Sequence, residues 1–278
     1  MQHKKMRAVW LGQALKKIRE EAKLTTRQVG YHVGKDASTI SRMESGDVSV
    51  PEAILSGIIE VCGVTDSHRI SDLTIIRRDA AHGGWWDGYR RDVASTLMDR
   101  AWLESIATSI QSYETMVLPG LLQLPTYAEA LMRNGATSAS DAEIRRWVDM
   151  RMQRQIILSR YRPVKFTSII DEQLLYRSIG RPDVMGDQLG FLLEIGQRPN
   201  VDIWVMPSTV CAGVTSSFEV FTLTEPYPQV GYVSTPAGDL CVEGETLDDL
   251  NREYDRLKEH SLAPERSQML IKAAKDKM

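Results

Sequence analysis

The side chains best placed to do chemistry lie in one run, Thr25 to Glu44, reading Thr-Thr-Arg-Gln-Val-Gly-Tyr-His-Val-Gly-Lys-Asp-Ala-Ser-Thr-Ile-Ser-Arg-Met-Glu. Their chemistry is hydrogen bonding and charge, not bond breaking. Thr26, Arg27 and Gln28 stand at the amino end of one short helix, and Lys35, Thr39 and Ser41 lie in and beyond the turn that follows. Helix N-termini, hydroxyls and cations suit phosphate oxygens, so these six are the expected phosphate contacts. Ala37, Ser38 and Arg42 share the outer side of the second helix with Thr39 and Ser41. Arg42 is the only long fork among them and matches the paired acceptors O6 and N7 of guanine. The ligand class these side chains point to is duplex DNA.

Local signals say how they are held. Thr25 is an expected N-cap, and Gln28 three residues later completes a capping box. Val29 and Val33 face inward one turn apart, and Gly34 supplies a C-terminal stop. Asp36 is placed to cap the second helix, which buries Ile40 and Met43. Two capped helices joined by so tight a turn cannot lie antiparallel, so the second projects as a reading head. Glu44, at the far end of that helix, is expected to be structural. Leu11, Leu15 and Ile18 recur at helical spacing upstream. Downstream, Pro51 opens a fourth helix over residues 52–61, with Ile54, Leu55, Ile58 and Ile59 on its apolar side, and a fifth covers about residues 66–80. Residues 1–80 therefore read as a five-helix, helix-turn-helix DNA-binding domain.

The chain has 278 residues and a formal net charge of −3, long enough for two domains. Through Ala80 there are 13 Lys/Arg against 10 Asp/Glu, and the remainder carries 21 against 27. A weakly basic front and an acidic body suit a protein that touches phosphates with one end. No apolar run reaches the ~20 residues that span a bilayer. Lys4, Lys5 and Arg7 are not followed by the apolar stretch of a secretory signal, so the expectation is a cytoplasmic chain with no membrane contact. Cys62, Cys211 and Cys241 form no C-x-x-C pair and read as reduced thiols. The five histidines are dispersed, and neither a metal nor a cofactor is expected.

The residues Leu15-x-x-Ile18-Arg19, Leu24-Thr25, Gly34, Ser38 through Gly46, and Pro51 resemble the Xre/lambda-repressor type of helix-turn-helix. The run Ser38-Thr39-Ile40-Ser41-Arg42-Met43-Glu44-Ser45-Gly46 is the most specific part. In that family the recognition helix enters the major groove with its N-terminal residues on base edges. The resemblance implies that Ala37, Ser38 and Arg42 read bases. One such motif buries too little surface for tight binding, so a homodimer on an inverted repeat is expected, its half-sites ~34–36 Å apart.

Residues 81–100 change character at His82-Gly83-Gly84-Trp85-Trp86-Asp87-Gly88-Tyr89. They read as a linker whose tryptophans pack back on one domain, with Gly83-Gly84 as a hinge. Residues 101–132 read as helical, broken at Pro119-Gly120, and a further arginine-dense helix covers about residues 140–160. Its stripe is Ile144, Val148, Met152 and Ile156, and its arginines 145, 146, 151 and 154 form a solvated or acid-paired face. After Pro163 the period shifts to strands at 164–170, 201–206, 218–223 and 230–233, with helices over about 182–197 and 246–261 and a last one beyond Pro264. The fold class predicted is α+β: the helical head, then over residues 101–278 a larger domain of helices on a small, mostly antiparallel sheet.

Tyr113-Glu114, Val117-Leu118-Pro119-Gly120-Leu121-Leu122-Gln123, Tyr127-Ala128, Asp171-Glu172, Arg198-Pro199-Asn200-Val201 and Val205-Met206-Pro207 resemble the uncharacterised C-terminal domain attached to Xre-type helix-turn-helices in actinomycete regulators. The chain departs from that pattern at Ser234, where an acidic residue is expected, and at Cys211-Ala212-Gly213. The resemblance implies transcriptional control, often beside a gene for a small partner protein.

No Gly-x-Ser-x-Gly, P-loop or His-Glu-x-x-His occurs, and Asp171-Glu172 are neighbours on a strand end, where one of them caps the next segment. The expectation is no enzyme. Two readings follow. The chain is a transcription factor whose second domain dimerises or senses a small-molecule effector, or it is the antitoxin-like half of a pair whose second domain docks a small protein encoded nearby. For either occupant the expected site is Leu118, Leu121, Gln123, Glu172, Trp204 and Tyr232.

Overall fold

A computed structural model describes residues 5–210, 213, 216–235 and 238–278. Of the atypical loop named above, Cys211 and Ala212 lie outside the described residues. The chain divides into two compact units, Met1–Arg90 with Ser95–Asp99, and Arg91–Ala94 with Arg100–Met278.

The first unit is built from α1 (Met6–Glu21), α2 (Thr26–His32), α3 (Ala37–Glu44), α4 (Glu52–Val61) and α5 (Ser67–Ala81). Leu11, Leu15, Ile18, Val29, Ile40, Met43, Leu55, Ile58 and Leu73 are buried together, one stripe from each helix. Pro51 stands as the N-cap of α4 and Asp66 caps α5 through the His68 amide. A short 3-10 turn, Trp85–Tyr89, follows α5. Its Trp86 is buried under the Arg7 guanidinium, 5.7 Å from the ring centroid, whereas Trp85 stays half exposed.

The expected hinge at Gly83-Gly84 is not a free joint. The Gly84 amide donates to Asp87 Oδ2 at 3.0 Å. A Cβ on Gly84 would meet the Trp86 ring at 2.4 Å, and one on Gly83 would meet Asp87 Oδ2 at 1.8 Å. These glycines allow close packing within the first unit.

The second unit is ordered α6 (Ser95–Ile106, from Arg100 onward), β1 (Ala107–Glu114), α7 (Pro125–Gly135), α8 (Asp141–Gln155), β2 (Lys165–Asp171), α9 (Pro182–Ile195), β3 (Val201–Met206), β4 (Phe218–Leu223), β5 (Val230–Thr235), β6 (Gly238–Val242), α10 (Glu245–Glu259) and α11 (Pro264–Lys275). Its six-stranded sheet has the order β3-β2-β1-β4-β5-β6. β1, β2 and β3 run parallel, and β4, β5 and β6 add antiparallel pairings on the other side of β1. The class is α+β as expected, but the sheet is mixed and larger than four strands.

The main departure is β1. Residues 107–114 were expected to continue a helix, and they form the central strand of the sheet. Ile106 and Ile110 sit at helical spacing, which misleads. A central strand is buried on both faces, so it shows no clean alternation.

One face of the sheet carries Tyr113, Ile169, Met206, Phe218 and Val220 against Leu247, Tyr254 and Leu257 of α10. Tyr254 donates its hydroxyl to the Thr167 carbonyl at 3.0 Å, which satisfies a polar group in an apolar layer. Side chains one position along each strand point the other way. These are Ser112 and Glu114 on β1, Ser168 on β2, Glu219 on β4 and Tyr232 on β5, following the pairings Ser112 with Ser168 and Glu219. That second face is buried, and these residues form a polar patch among its apolar side chains Ile110, Phe166, Ile170 and Phe221.

Candidate DNA interface

α2 and α3 owe their positions to their caps. Thr25 Oγ1 accepts from the Gln28 amide at 3.2 Å, and Gln28 Oε1 accepts from the Thr25 amide at 2.8 Å, which closes the capping box. Gly34 adopts φ +65°, a left-handed turn residue, and the Lys35 amide closes back on the Gly30 carbonyl at 2.8 Å. Asp36 then caps α3, accepting the Thr39 amide at 2.7 Å. The Ser38 hydroxyl, the Thr39 amide and the Thr39 hydroxyl together hold the Asp36 carboxyl well below the usual carboxylate range. The cap is therefore ionised at neutral pH.

The far end of α3 is clamped. Arg19 of α1 grips Glu44 through two bonds, Nε to Oε1 at 2.6 Å and Nη2 to Oε2 at 2.9 Å, and Arg19 Nη1 also donates to the Leu24 carbonyl. Glu44 is thus structural, as expected. Gly46, at φ +76°, turns the chain away where a Cβ would strike the Val9 backbone nitrogen at 2.9 Å. Ser45-Gly46 is the stop that ends α3 against α1.

What remains outward is Ser38, Ser41 and Arg42 on α3, with Arg27, Gln28 and Lys35 beside them, all exposed, and Thr26, Ala37 and Thr39 half-buried. The nine expected contacts thus lie on one short stretch of connected backbone. Two of the expected base readers are already engaged within the helix. Ser38 donates to Asp36 Oδ1 at 2.6 Å, and Arg42 Nη2 donates to Thr39 Oγ1 at 3.1 Å. That bond uses one of the five N–H donors of the Arg42 guanidinium, and a two-pronged contact with a base takes two of the others. Gln28 spends its oxygen on the capping box, leaving its amide nitrogen as the donor it can offer a phosphate.

Arg27 and Lys35 carry charge without sequence information. Replacing either with Ala should flatten the slope of log affinity against log salt by about one unit. A salt series of binding curves on one duplex measures this, and an unchanged slope removes the residue from the phosphate contacts.

The six residues expected to form an effector or partner site are not one site. Leu118 and Leu121 are buried as packing under the Pro119-Gly120 corner. Gln123 is buried with them, its Nε2 donating to the Leu118 carbonyl at 2.6 Å. Trp204 packs beside the α10 cluster on one face of the sheet, while Tyr232 lies on the opposite face with Arg100 over its ring. Glu172 is tied to Ser208, accepting from its amide at 2.8 Å and its hydroxyl at 2.9 Å. Asp171 caps the short turn that follows β2, accepting the Gln173 amide. The pattern of apolar corner and strand ends was legible, but not which face each strand residue would take.

Sequence reasoning missed a buried network at the polar patch. Arg154 Nε and Nη2 hold the two Glu104 oxygens at 2.8 and 2.7 Å, and Arg100 Nη2 holds Glu219 at 2.6 Å. Burial and the neighbouring Glu219 push the Glu114 carboxyl up to about 8. α8 is rotated from its expected stripe: Met150 and Arg154 are buried, whereas Ile156 is 53% exposed. Of the arginines expected to be solvated or acid-paired, Arg154 is acid-paired but turns inward to Glu104, and Arg151 turns inward onto Gln123. The available signal was their spacing from Ile144 and Trp147, at i+7 and i+10 from Ile144 and i+4 and i+7 from Trp147, which is helical.

Residues 10–70 match a family described as helix-turn-helix domain. No curated protein and no solved structure matches the chain. Among the described residues no helix is long and apolar enough to cross a membrane. The N-terminal match makes the first unit a helix-turn-helix DNA-binding domain, the kind that transcriptional regulators carry. Residues 97–273, well over half of the chain, match the family described as domain of unknown function (DUF5753), and the protein belongs to that family.

Proposed function

We propose that this protein is a sequence-specific, dimeric transcriptional regulator of the Xre type that reads the major groove with α3 and is modulated through its DUF5753 unit. The observation that carries this reading is the condition of α3. Asp36 caps one end, Glu44 is clamped at the other, Ile40 and Met43 are buried, and Ser38, Ser41 and Arg42 point outward. A helix this short is marginal alone, and anchoring both ends presents its outer side chains in fixed directions. The reading has no catalytic step. It also accommodates a small partner protein as the modulator in place of a small molecule.

Selection of bound DNA from a random library by the full-length protein tests it. The expected result is an inverted repeat with half-sites about one helical turn apart. On that sequence Arg42→Ala should cost roughly 1–3 kcal/mol and relax preference at one base pair per half-site. Equal loss on the selected and on unrelated DNA would reduce Arg42 to a phosphate contact. Recovery of no preferred sequence would overturn the reading.

A further inference from the structure

The polar patch of the second unit holds three guanidiniums and three buried carboxylates, with Asp239 of β6 near Arg100, and they do not pair off evenly. Arg154 with Glu104 and Arg100 with Glu219 form close pairs. Arg151 and Glu114 remain, and among the described residues Arg151 forms no ion pair. Its Nη1 donates to Gln123 Oε1 at 2.5 Å, a neutral amide. Its Nε is shielded from solvent with no acceptor, while the residue as a whole keeps partial exposure. Burial, with Arg154 and Arg100 nearby, pushes its pKa down to about 9, so it is still charged at neutral pH. A desolvated guanidinium without a counter-charge costs several kcal/mol.

The surroundings keep it there. Gln155 Nε2 donates to the Gln123 carbonyl at 2.6 Å and to the Gly120 carbonyl at 3.3 Å, fixing the corner over α8. Gln188 of α9 fixes the same corner from its other side, donating to the Leu122 carbonyl and accepting the Leu124 amide, both at 2.7 Å. Gln123 is locked by its bond to Leu118. A Cβ at Gly120 would sit 3.7 Å from Arg154 Nη1 and Nη2 and 3.9 Å from Arg151 Nε, so glycine there leaves a methyl-sized space between the corner and the two guanidiniums. A fork with an unused donor, held rigidly in a side chain that keeps only partial exposure, suits a planar or tetrahedral oxyanion.

We infer that the DUF5753 unit binds a small oxyanion, a carboxylate or phosphate group of a small molecule, at Arg151 beneath the Pro119-Gly120 corner. This assignment is independent of how the first unit reads DNA. Thermal unfolding of the full-length protein tests it, with inorganic phosphate and malonate titrated separately at constant ionic strength in chloride. The expected result is a saturable rise in Tm with at least one of the two, and the active one names the class. Arg151→Gln should abolish the rise, and Arg145→Gln, an exposed arginine on the same helix, should keep it. Arg151→Lys retains the charge without the planar fork and should weaken the midpoint tenfold or more. This last variant decides the question should Arg151→Gln fail to fold. No saturable response to either anion, an undiminished response in Arg151→Gln, or an unchanged midpoint in Arg151→Lys overturns the assignment.

Discussion

Arg154→Gln is expected to destabilise the second unit by roughly 3–5 kcal/mol, the cost of leaving a buried charge without its partner. Arg154 is 3% exposed and Glu104 fully buried, and two short bonds join them. Removing the guanidinium strands the Glu104 carboxylate between helices, with Arg100 Nε at 3.7 Å the nearest replacement. Arg100 is already committed to Glu219. Glu104→Gln should cost a similar amount by stranding Arg154 in turn. Replacing both together with apolar residues of like volume should recover much of the loss, because desolvation of both charges disappears with them. Hydrogen exchange at the amides of β1 and β2 measures the change within this unit. Arg145→Gln, on the exposed side of the same helix, should change protection by less than about 0.5 kcal/mol. If Arg154→Gln matches Arg145→Gln, the pair is not what holds α8 to α6.

The first unit was legible because its signals are local. Thr25 with Gln28, Gly34, Asp36 and Pro51 each act within four residues of themselves, and each stands where its cap or turn requires it. The stripe of Leu11, Leu15 and Ile18 needs only the helical period to be read. The clamp on Glu44 is different in kind. Its partner Arg19 is 25 residues away in sequence, and nothing local announces the pair.

The second unit was partly legible for the same reason. Strands β2, β3, β4 and β5 carry dense β-branched and aromatic residues and were found at nearly their observed limits. Strand β1 was not, because Ser112 and Glu114 face a polar layer where apolar residues would otherwise mark a strand. Ser112 donates to Ser168 Oγ at 2.8 Å, and that layer exists only once α6, α8 and β4 are assembled. The same layer hid the inward arginines of α8. A guanidinium is expected at the surface unless a carboxylate waits inside. Glu104 is separated from Arg154 by 50 residues. The block Pro119-Gly120-Leu121-Leu122-Gln123 was singled out correctly as unusual, and its work became visible only through Gln155 and Gln188, which anchor its carbonyls, and Arg151, which it roofs.

Between pH 5 and pH 8 the wild-type protein should lose stability relative to Glu114→Gln. Burial is the main reason the Glu114 carboxyl stays protonated up to about 8, and the adjacent Glu219 adds to it. Arg100, the Ser217 hydroxyl and Arg151 oppose the shift without cancelling it. In the unfolded chain the same carboxyl titrates near its ordinary value, 4.5. Across that window the folded state holds a proton that the unfolded state has released. Stability from this group is therefore fully present below about pH 4.5 and declines as pH rises through 8, at up to about 1.4 kcal/mol per pH unit. Glutamine mimics the neutral acid and does not titrate, so the difference between the two stability profiles isolates Glu114. The two proteins should lie within about 1 kcal/mol at pH 5 and diverge by a few kcal/mol at pH 8.5, with the variant the more stable. Parallel profiles would mean that Glu114 is ionised in the fold at neutral pH. The consequence reaches Arg151. While Glu114 is neutral, the two close pairs cancel and one guanidinium is left without a counter-charge. Above pH 8 the Glu114 carboxylate supplies that charge from within, so phosphate or malonate affinity should fall there in the wild type. In Glu114→Gln it should persist to higher pH.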